Sequence, residues 1–145
     1  MPPDEREPTG LIVVGVDGSD PSAGAARWAC HQAGLSRSRI ELITAWEWPL
    51  TWGPAMPFPA DYDPAADALT LVDEVAEPLS REFPDIDLRT RAVKGHPAIV
   101  LVEASRHADL LVVASRGHGE FSGMLIGSVS LHCVTRAASP VLVYR

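Results

Sequence analysis

An unbroken apolar run at residues 11–16 constrains the fold more than any other feature of this chain. It is rich in valine and isoleucine, which favour strands, and it lacks the alternating polar positions of a strand with one solvated face. Such a run is typical of a strand covered on both faces, as in a parallel sheet. Residues 40–46, 110–114 and 141–144 resemble it, whereas residues 86–93 alternate apolar and polar side chains, which predicts a strand near the sheet edge.

The segments between these runs have helical spacing. In the first, Asp20 is the predicted N-cap, Pro21 takes the first helical position and Gly34 ends the pattern. Pro78 lies inside the second, and we expect it to kink or shorten that helix. The helices are predicted at about 20–33, 64–83, 97–106 and 127–137.

This order of elements predicts an α/β fold, with an open five-stranded parallel sheet, helices on both faces and right-handed crossovers. A length of 145 residues is the usual size of one domain, so we assign residues 1–10 to a flexible N-terminal tail and residues 11–145 to a single domain. No apolar run reaches the roughly 20 residues that a membrane span requires. The N-terminus lacks the apolar stretch of a secretory signal, and we therefore expect a cytoplasmic location.

Composition and spacing argue against several classes of function. A formal net charge of −7 argues against a general nucleic-acid surface, which needs clustered Lys and Arg. Cys30 and Cys133 have no CxxC or metal-like spacing, so we interpret them as buried thiols in a reducing compartment. The histidines form no HxxxH or HExxH pair, so no metal site is predicted. No Ser-His-Asp order or paired carboxylates are evident, so we predict no catalytic residues and no enzyme.

The connection at residues 47–63 is unusually long and rich in proline, yet it carries Trp48, Trp52 and Phe58. A disordered linker rarely holds so many large aromatic side chains. One interpretation is a loop packed over the ligand-bearing edge of the sheet, as long functional loops often are. The other, which the sequence favours equally, is a loop that covers part of the core and has no ligand role.

Open α/β sheets bind ligands beyond the carboxyl ends of their strands, so the residues after the first and fourth predicted strands are candidates. Asp17 follows the first strand, and a stretch rich in glycine and serine, residues 115–130, follows the fourth. Glycines let backbone N–H groups approach phosphate oxygens, and a helix start adds partial positive charge. This stretch is therefore a candidate phosphate site, although a flexible connection has the same composition. Arg116 could reinforce a phosphate contact by its charge, although a solvated surface position is the commoner role for such an arginine.

Other phosphate-binding motifs do not match. The chain has no GxxxxGK[ST] sequence. The near match to the dinucleotide fingerprint, from Gly117 to Gly123, has an extra residue and follows the fourth strand rather than the first. The P-loop and NAD interpretations are therefore rejected.

The spacing of these residues resembles the universal stress protein family. Its nucleotide-binding members carry Gly, two residues, Gly, nine residues, then Gly-Ser or Gly-Thr, and this chain has Ala114, Gly117 and Gly127-Ser128 at those positions. The similarity extends from about residue 11 to the end of the chain, through the strand that ends in Asp17 and the closing segment 139–143.

The resemblance implies a Rossmann-like fold of the adenine nucleotide α-hydrolase type and binding of ATP, with or without Mg²⁺, or of another adenine nucleotide. By this resemblance Asp17 would lie beside the ribose or base, and its alternative role is to cap the first helix. Ala45 would offer backbone groups to the adenine edge. The residues that would hold the phosphates are Arg116, Gly117, Gly127, Ser128, Val129 and Ser130.

Ala114 is the one departure from the motif, because it replaces the first glycine. Alanine is harmless there if the backbone φ is negative, but it would weaken binding if the glycine lets the backbone approach the ligand. The family commonly dimerises through its last strand, so the resemblance implies a homodimer through residues 141–144.

Three functions follow from these observations. The first is a stress-linked adenine-nucleotide binder, with slow ATP hydrolysis only incidental. The second is a dimeric interaction protein that has lost its nucleotide. The third is a nucleotide-activating enzyme, which is disfavoured because the turn after the first strand lacks a Ser-Gly-Gly-type loop.

Overall fold

Strands and helices alternate along the chain in the order that the sequence predicts. The computed structural model describes residues 8–48, 59–116 and 126–145. The elements are β1 (Gly10–Gly15), α1 (Asp20–Ser36), β2 (Ser38–Trp46), α2 (Pro64–Glu82), β3 (Leu88–Lys94), α3 (Pro97–Ser105), β4 (Leu110–Ala114), α4 (Ser128–Arg136) and β5 (Val141–Tyr144).

The five strands form one parallel sheet in the order β3-β2-β1-β4-β5. The prediction of an open parallel α/β sheet is confirmed, and β3 lies at an edge as its alternating pattern indicates. The strand order reverses between β1 and β4, because the chain builds outward from β1 in one direction and then returns to its other side. In sheets of this kind the reversal creates the ligand-binding crevice.

Two apolar layers cover the sheet, which explains the unbroken apolar run of β1. Ile12 and Val14 pack with residues of α1 and α2 on one face. Val13 packs with residues of α3 and α4 on the other face. Because successive side chains of a strand point to opposite faces, every position of a strand buried in this way must be apolar. Removing each such side chain from water contributes about 1.5–3 kcal/mol of stability.

The start and end of α1 differ from the prediction. Ser19, and not Asp20, is the N-cap, and its Oγ accepts a hydrogen bond from the Ser22 N–H at 3.3 Å. The helix also continues through Gly34 to Ser36 and ends where Arg37 adopts a left-handed φ of 56°. A helical glycine costs about 1 kcal/mol, which the packing of a long helix readily offsets.

Pro78 does not shorten α2, which continues to Glu82. The proline removes one backbone donor from the helix. Its ring is exposed, whereas Val72, Ala76 and Leu79 hold the buried face of the helix against the sheet. Tertiary packing therefore outweighs the local propensity.

Cys30 and Cys133 are free thiols that lie fully buried in the two apolar layers. Burial raises the pKa of each thiol to about 11, so both are protonated and unreactive at neutral pH. This agrees with their interpretation as structural residues. Within the described ranges, no helix is long and apolar enough to cross a membrane.

Candidate functional site

The candidate site lies beyond the carboxyl ends of β1 and β4, where the strand order reverses. The chain leaves β1 toward α1 on one face of the sheet, and it enters α4 on the opposite face. The space between these two exits is called the switch-point crevice below. Asp17, Ala45 and Gly127 all lie at this edge of the sheet, as the sequence predicts.

A tight turn places Asp17 at the end of β1. Its Oδ1 accepts hydrogen bonds from the N–H of Ser19, at 2.9 Å, and from the Ser19 hydroxyl. Gly18 has a φ of 83°, a conformation that favours glycine. Asp17 therefore orients the capping residue of α1 and does not cap the helix itself.

Ala45 follows the point at which β1 stops pairing with β2. In the last backbone hydrogen bond between these two strands, the Val16 N–H donates to the Ile43 carbonyl at 2.9 Å. The Val16 carbonyl then accepts the Thr44 hydroxyl, also at 2.9 Å. Alternate residues of a parallel strand direct their hydrogen-bonding groups to the same side. The N–H and C=O of Ala45 therefore point past the end of β1, toward the switch-point crevice.

The start of α4 fits an anion. Gly127 is its N-cap and, having no side chain, gives the helix no side-chain cap. The Gly127 N–H donates to the Ser115 carbonyl at 2.6 Å, which ties the helix start to the end of β4. The first N–H groups of a helix lack partners within it and carry partial positive charge. Ser128 is exposed beside these groups, so phosphate oxygens have both backbone and hydroxyl donors within reach.

The remaining predicted phosphate residues have different environments. The Ser130 hydroxyl is buried and donates to the Ala114 carbonyl, so this side chain joins α4 to β4. Val129 packs against the layer that includes Cys133, so any contact with phosphate would come from its backbone N–H. Arg116 is exposed at the end of β4. Gly117 lies outside the described residues.

Ala114 occupies ordinary strand backbone. Among the described residues, Arg37 is the only non-glycine with a positive φ, so the φ of Ala114 is negative. The residue is 9% exposed and belongs to the layer beneath α1 and α2. The methyl group therefore points into the core, and alanine costs nothing in backbone strain.

This environment predicts the result of restoring the motif's glycine. We expect Ala114→Gly to leave nucleotide affinity within about twofold, a change of roughly 0.4 kcal/mol. The free energy of unfolding should fall by about 1 kcal/mol, because glycine is more flexible in the unfolded chain and the buried methyl is lost. Calorimetric titration and urea unfolding measure the two effects. A tightening of more than about tenfold would show that the methyl obstructs the ligand.

An aromatic cluster lies at the carboxyl ends of β2 and β3. Trp46 and Trp48 meet edge to face at 6.3 Å, and Trp48 meets Tyr62 at 5.9 Å. The Lys94 Nζ lies 5.9 Å from the centre of the Trp46 ring. Sequence reasoning identified Trp48 but missed Trp46 and Tyr62, whose aromatic residue type beside a proline-rich connection was the available signal.

A model of the Universal stress protein family matches residues 10–145. The chain belongs to this family. A universal stress protein of Mycobacterium tuberculosis is 33% identical over 148 residues, which cover 100% of this chain and 47% of that protein. One from Mycolicibacterium smegmatis is 32% identical over 135 residues, which cover 92% of this chain and 45% of that protein. The chain thus spans about half the length of these relatives.

Solved structures of universal stress proteins share the fold. One, a crystal structure in complex with cAMP, is 30% identical with a TM-score of 0.68, covering 94% of this chain and 96% of that chain. UspA from Lactobacillus plantarum is 19% identical with a TM-score of 0.67, covering 94% and 97%. A universal stress protein of Archaeoglobus fulgidus in complex with dAMP is 17% identical with a TM-score of 0.63, covering 95% and 99%.

Proposed function

We propose that this chain binds an adenine nucleotide in the switch-point crevice and acts as a nucleotide-responsive regulator in a stress response. The start of α4 carries the proposal, because its N-cap is a glycine without a capping side chain and it lies at the point where the strand order reverses. The cAMP complex of the universal stress protein that is 30% identical supports an adenine nucleotide as the ligand.

The arrangement suggests how the ligand would lie. The adenine edge would hydrogen-bond to the N–H and C=O of Ala45, which point past the end of β1. The ribose would lie beside Asp17. The phosphates would accept hydrogen bonds from the first N–H groups of α4 and from the Ser128 hydroxyl, next to Gly127, whose own N–H is bonded to the Ser115 carbonyl. Arg116 would add positive charge at the phosphate end. We propose ATP as this nucleotide, with or without Mg²⁺.

Binding, rather than catalysis, is the role that we propose. Two titratable side chains at this edge have structural tasks. The Asp17 carboxylate holds Ser19, and the His96 Nδ1 accepts a hydrogen bond from the Ala98 N–H at 3.2 Å as the cap of α3. A general acid or base needs a side chain positioned on the reacting group. Slow hydrolysis of ATP would therefore be incidental.

Calorimetric titration of nucleotide-free protein with ATP, ADP, AMP and cAMP tests the proposal. We expect saturable binding with one nucleotide for each chain, with ATP tightest and a dissociation constant near 1 μM, or about −8 kcal/mol. ATP should bind more tightly than AMP because it places additional phosphates at the α4 N-terminus. Absence of binding for all four nucleotides would contradict the proposal and favour the alternative of a nucleotide-free interaction protein. The environment of Ala114 gives that alternative no support.

We also propose a homodimer through β5. The two edges of the sheet differ: β3 carries Arg89, Arg91 and Lys94, charges of the kind that prevent edge-to-edge pairing, whereas β5 is Val-Leu-Val-Tyr. On the neighbouring α4, Leu131 and Val134 are 51% and 49% exposed. An uncharged edge strand beside exposed apolar side chains favours pairing with a second copy. We propose a cytoplasmic location, where Cys30 and Cys133 remain reduced.

A further inference from the structure

Trp48 is unusually exposed for its size and position. The residue is 48% exposed, although it lies only three residues beyond Ala45 at the carboxyl edge of the sheet. The other large apolar side chains with comparable exposure in the described ranges are aliphatic. A large exposed aromatic ring beside a concave site is more often a contact surface than a packing residue.

The ring of Trp48 is held in place by neighbours from separate elements. Trp46, the last residue of β2, meets it at 78°, and Tyr62, just before α2, meets it at 60°. Lys94, at the end of β3, lies over Trp46 in cation–π geometry and holds that ring in turn. Trp48 is therefore positioned before any ligand arrives, which lowers the entropic cost of a contact with it.

The chemistry of this edge fits a flat heteroaromatic ring. A base that hydrogen-bonds along its edge to Ala45 needs apolar cover on its faces, and a tryptophan face gives that cover without selecting particular polar atoms. Trp48 follows the strand that carries Ala45, and β1 lies between that strand and β4, which leads to the proposed phosphate position at the start of α4. We propose that Trp48 stacks on the adenine base of the bound nucleotide. This inference rests on the proposed adenine-nucleotide binding.

Three variants and two ligands test the stacking contact. ATP carries the base and the phosphates, whereas tripolyphosphate carries only the phosphates. We expect Trp48→Ala to weaken ATP binding about tenfold, the usual loss for one base–aromatic stack. Tripolyphosphate affinity should not change. Trp48→Phe keeps an aromatic face, so ATP affinity should stay within about threefold of the unsubstituted chain. Trp28→Phe, in α1 and distant in sequence, is the matched control and should bind ATP normally.

Tryptophan fluorescence gives a second readout that does not depend on the alanine variant. The chain has four tryptophans. ATP should quench the emission of the unsubstituted chain and of Trp28→Phe, whereas the quenching should be lost in Trp48→Phe.

The outcomes separate this inference from the proposed function. If the unsubstituted chain binds ATP and Trp48→Ala binds it equally well, the stacking contact is wrong and nucleotide binding stands. If Trp48→Ala loses affinity for ATP and for tripolyphosphate to the same extent, Trp48 shapes the site without stacking, and the inference is again wrong. If the unsubstituted chain binds none of ATP, ADP, AMP and cAMP, both proposals fail.

Discussion

Replacement of Ser128 by glutamate is expected to weaken ATP binding roughly 100-fold, a loss of about 3 kcal/mol. Ser128 is the first residue of α4 and its side chain is exposed beside the proposed phosphate position. A carboxylate about 4 Å from a phosphate oxygen is repelled by up to roughly 4 kcal/mol in the partly solvated environment of a protein surface. The fold should not suffer, because a negative charge in the first turn of a helix stabilises it by about 0.3–1 kcal/mol.

Ser128→Gln is the matched control, since it has nearly the same size as glutamate and no charge. Its ATP affinity should fall much less than that of the glutamate variant, and thermal unfolding of both should stay close to that of the unsubstituted chain. When the ATP titration is repeated at high salt, the glutamate variant should recover part of its lost ATP affinity, because salt screens charge repulsion. If glutamate and glutamine bind ATP equally well, the phosphates lie elsewhere.

The fold was accessible from the sequence because burial on both faces leaves a strong apolar signal. The runs that became β1 and β4 contain no exposed residue, so their composition alone indicates a parallel sheet. The alternating pattern of β3 likewise predicts its place at the edge. Local rules predicted helix ends less well. Asp20 is a good capping residue by type, but Asp17 holds Ser19 in the capping position through two hydrogen bonds.

The candidate site was only partly accessible from the sequence. The order of elements placed Asp17, Ala45 and Gly127 at one edge, and motif spacing suggested the ligand. The sequence left open which way the Ala114 methyl points, because this depends on the packing of α1 over β4. It also left open what the Ser130 hydroxyl contacts, because this depends on how α4 packs against β4. Contacts between residues distant in the chain, such as those of the aromatic cluster, have no local pattern that would reveal them.

Replacement of Val143 by proline is expected to convert the proposed homodimer into a monomer. The Leu111 N–H donates to the Pro140 carbonyl, and the Ser115 N–H donates to the Tyr144 carbonyl. Alternate residues of a strand bond to the same neighbour, so Leu142 also faces β4. Val143 therefore directs its N–H away from β4, toward the free edge. Proline at such an edge position removes a donor that only a partner strand would use.

The size of the effect follows from symmetry. In a twofold dimer each substitution occurs in both copies, so losing one hydrogen bond of about 1–1.5 kcal/mol in each weakens association by about 3 kcal/mol, or roughly 100-fold. Sedimentation at micromolar concentration should show a dimer for the unsubstituted chain and a folded monomer for Val143→Pro. Leu142→Pro is the matched control. The Leu142 N–H faces β4, so removing it should lower the unfolding temperature rather than weaken association. If Val143→Pro remains a dimer with unchanged affinity, the copies do not pair through the free edge of β5. A monomeric unsubstituted chain would remove the homodimer proposal altogether.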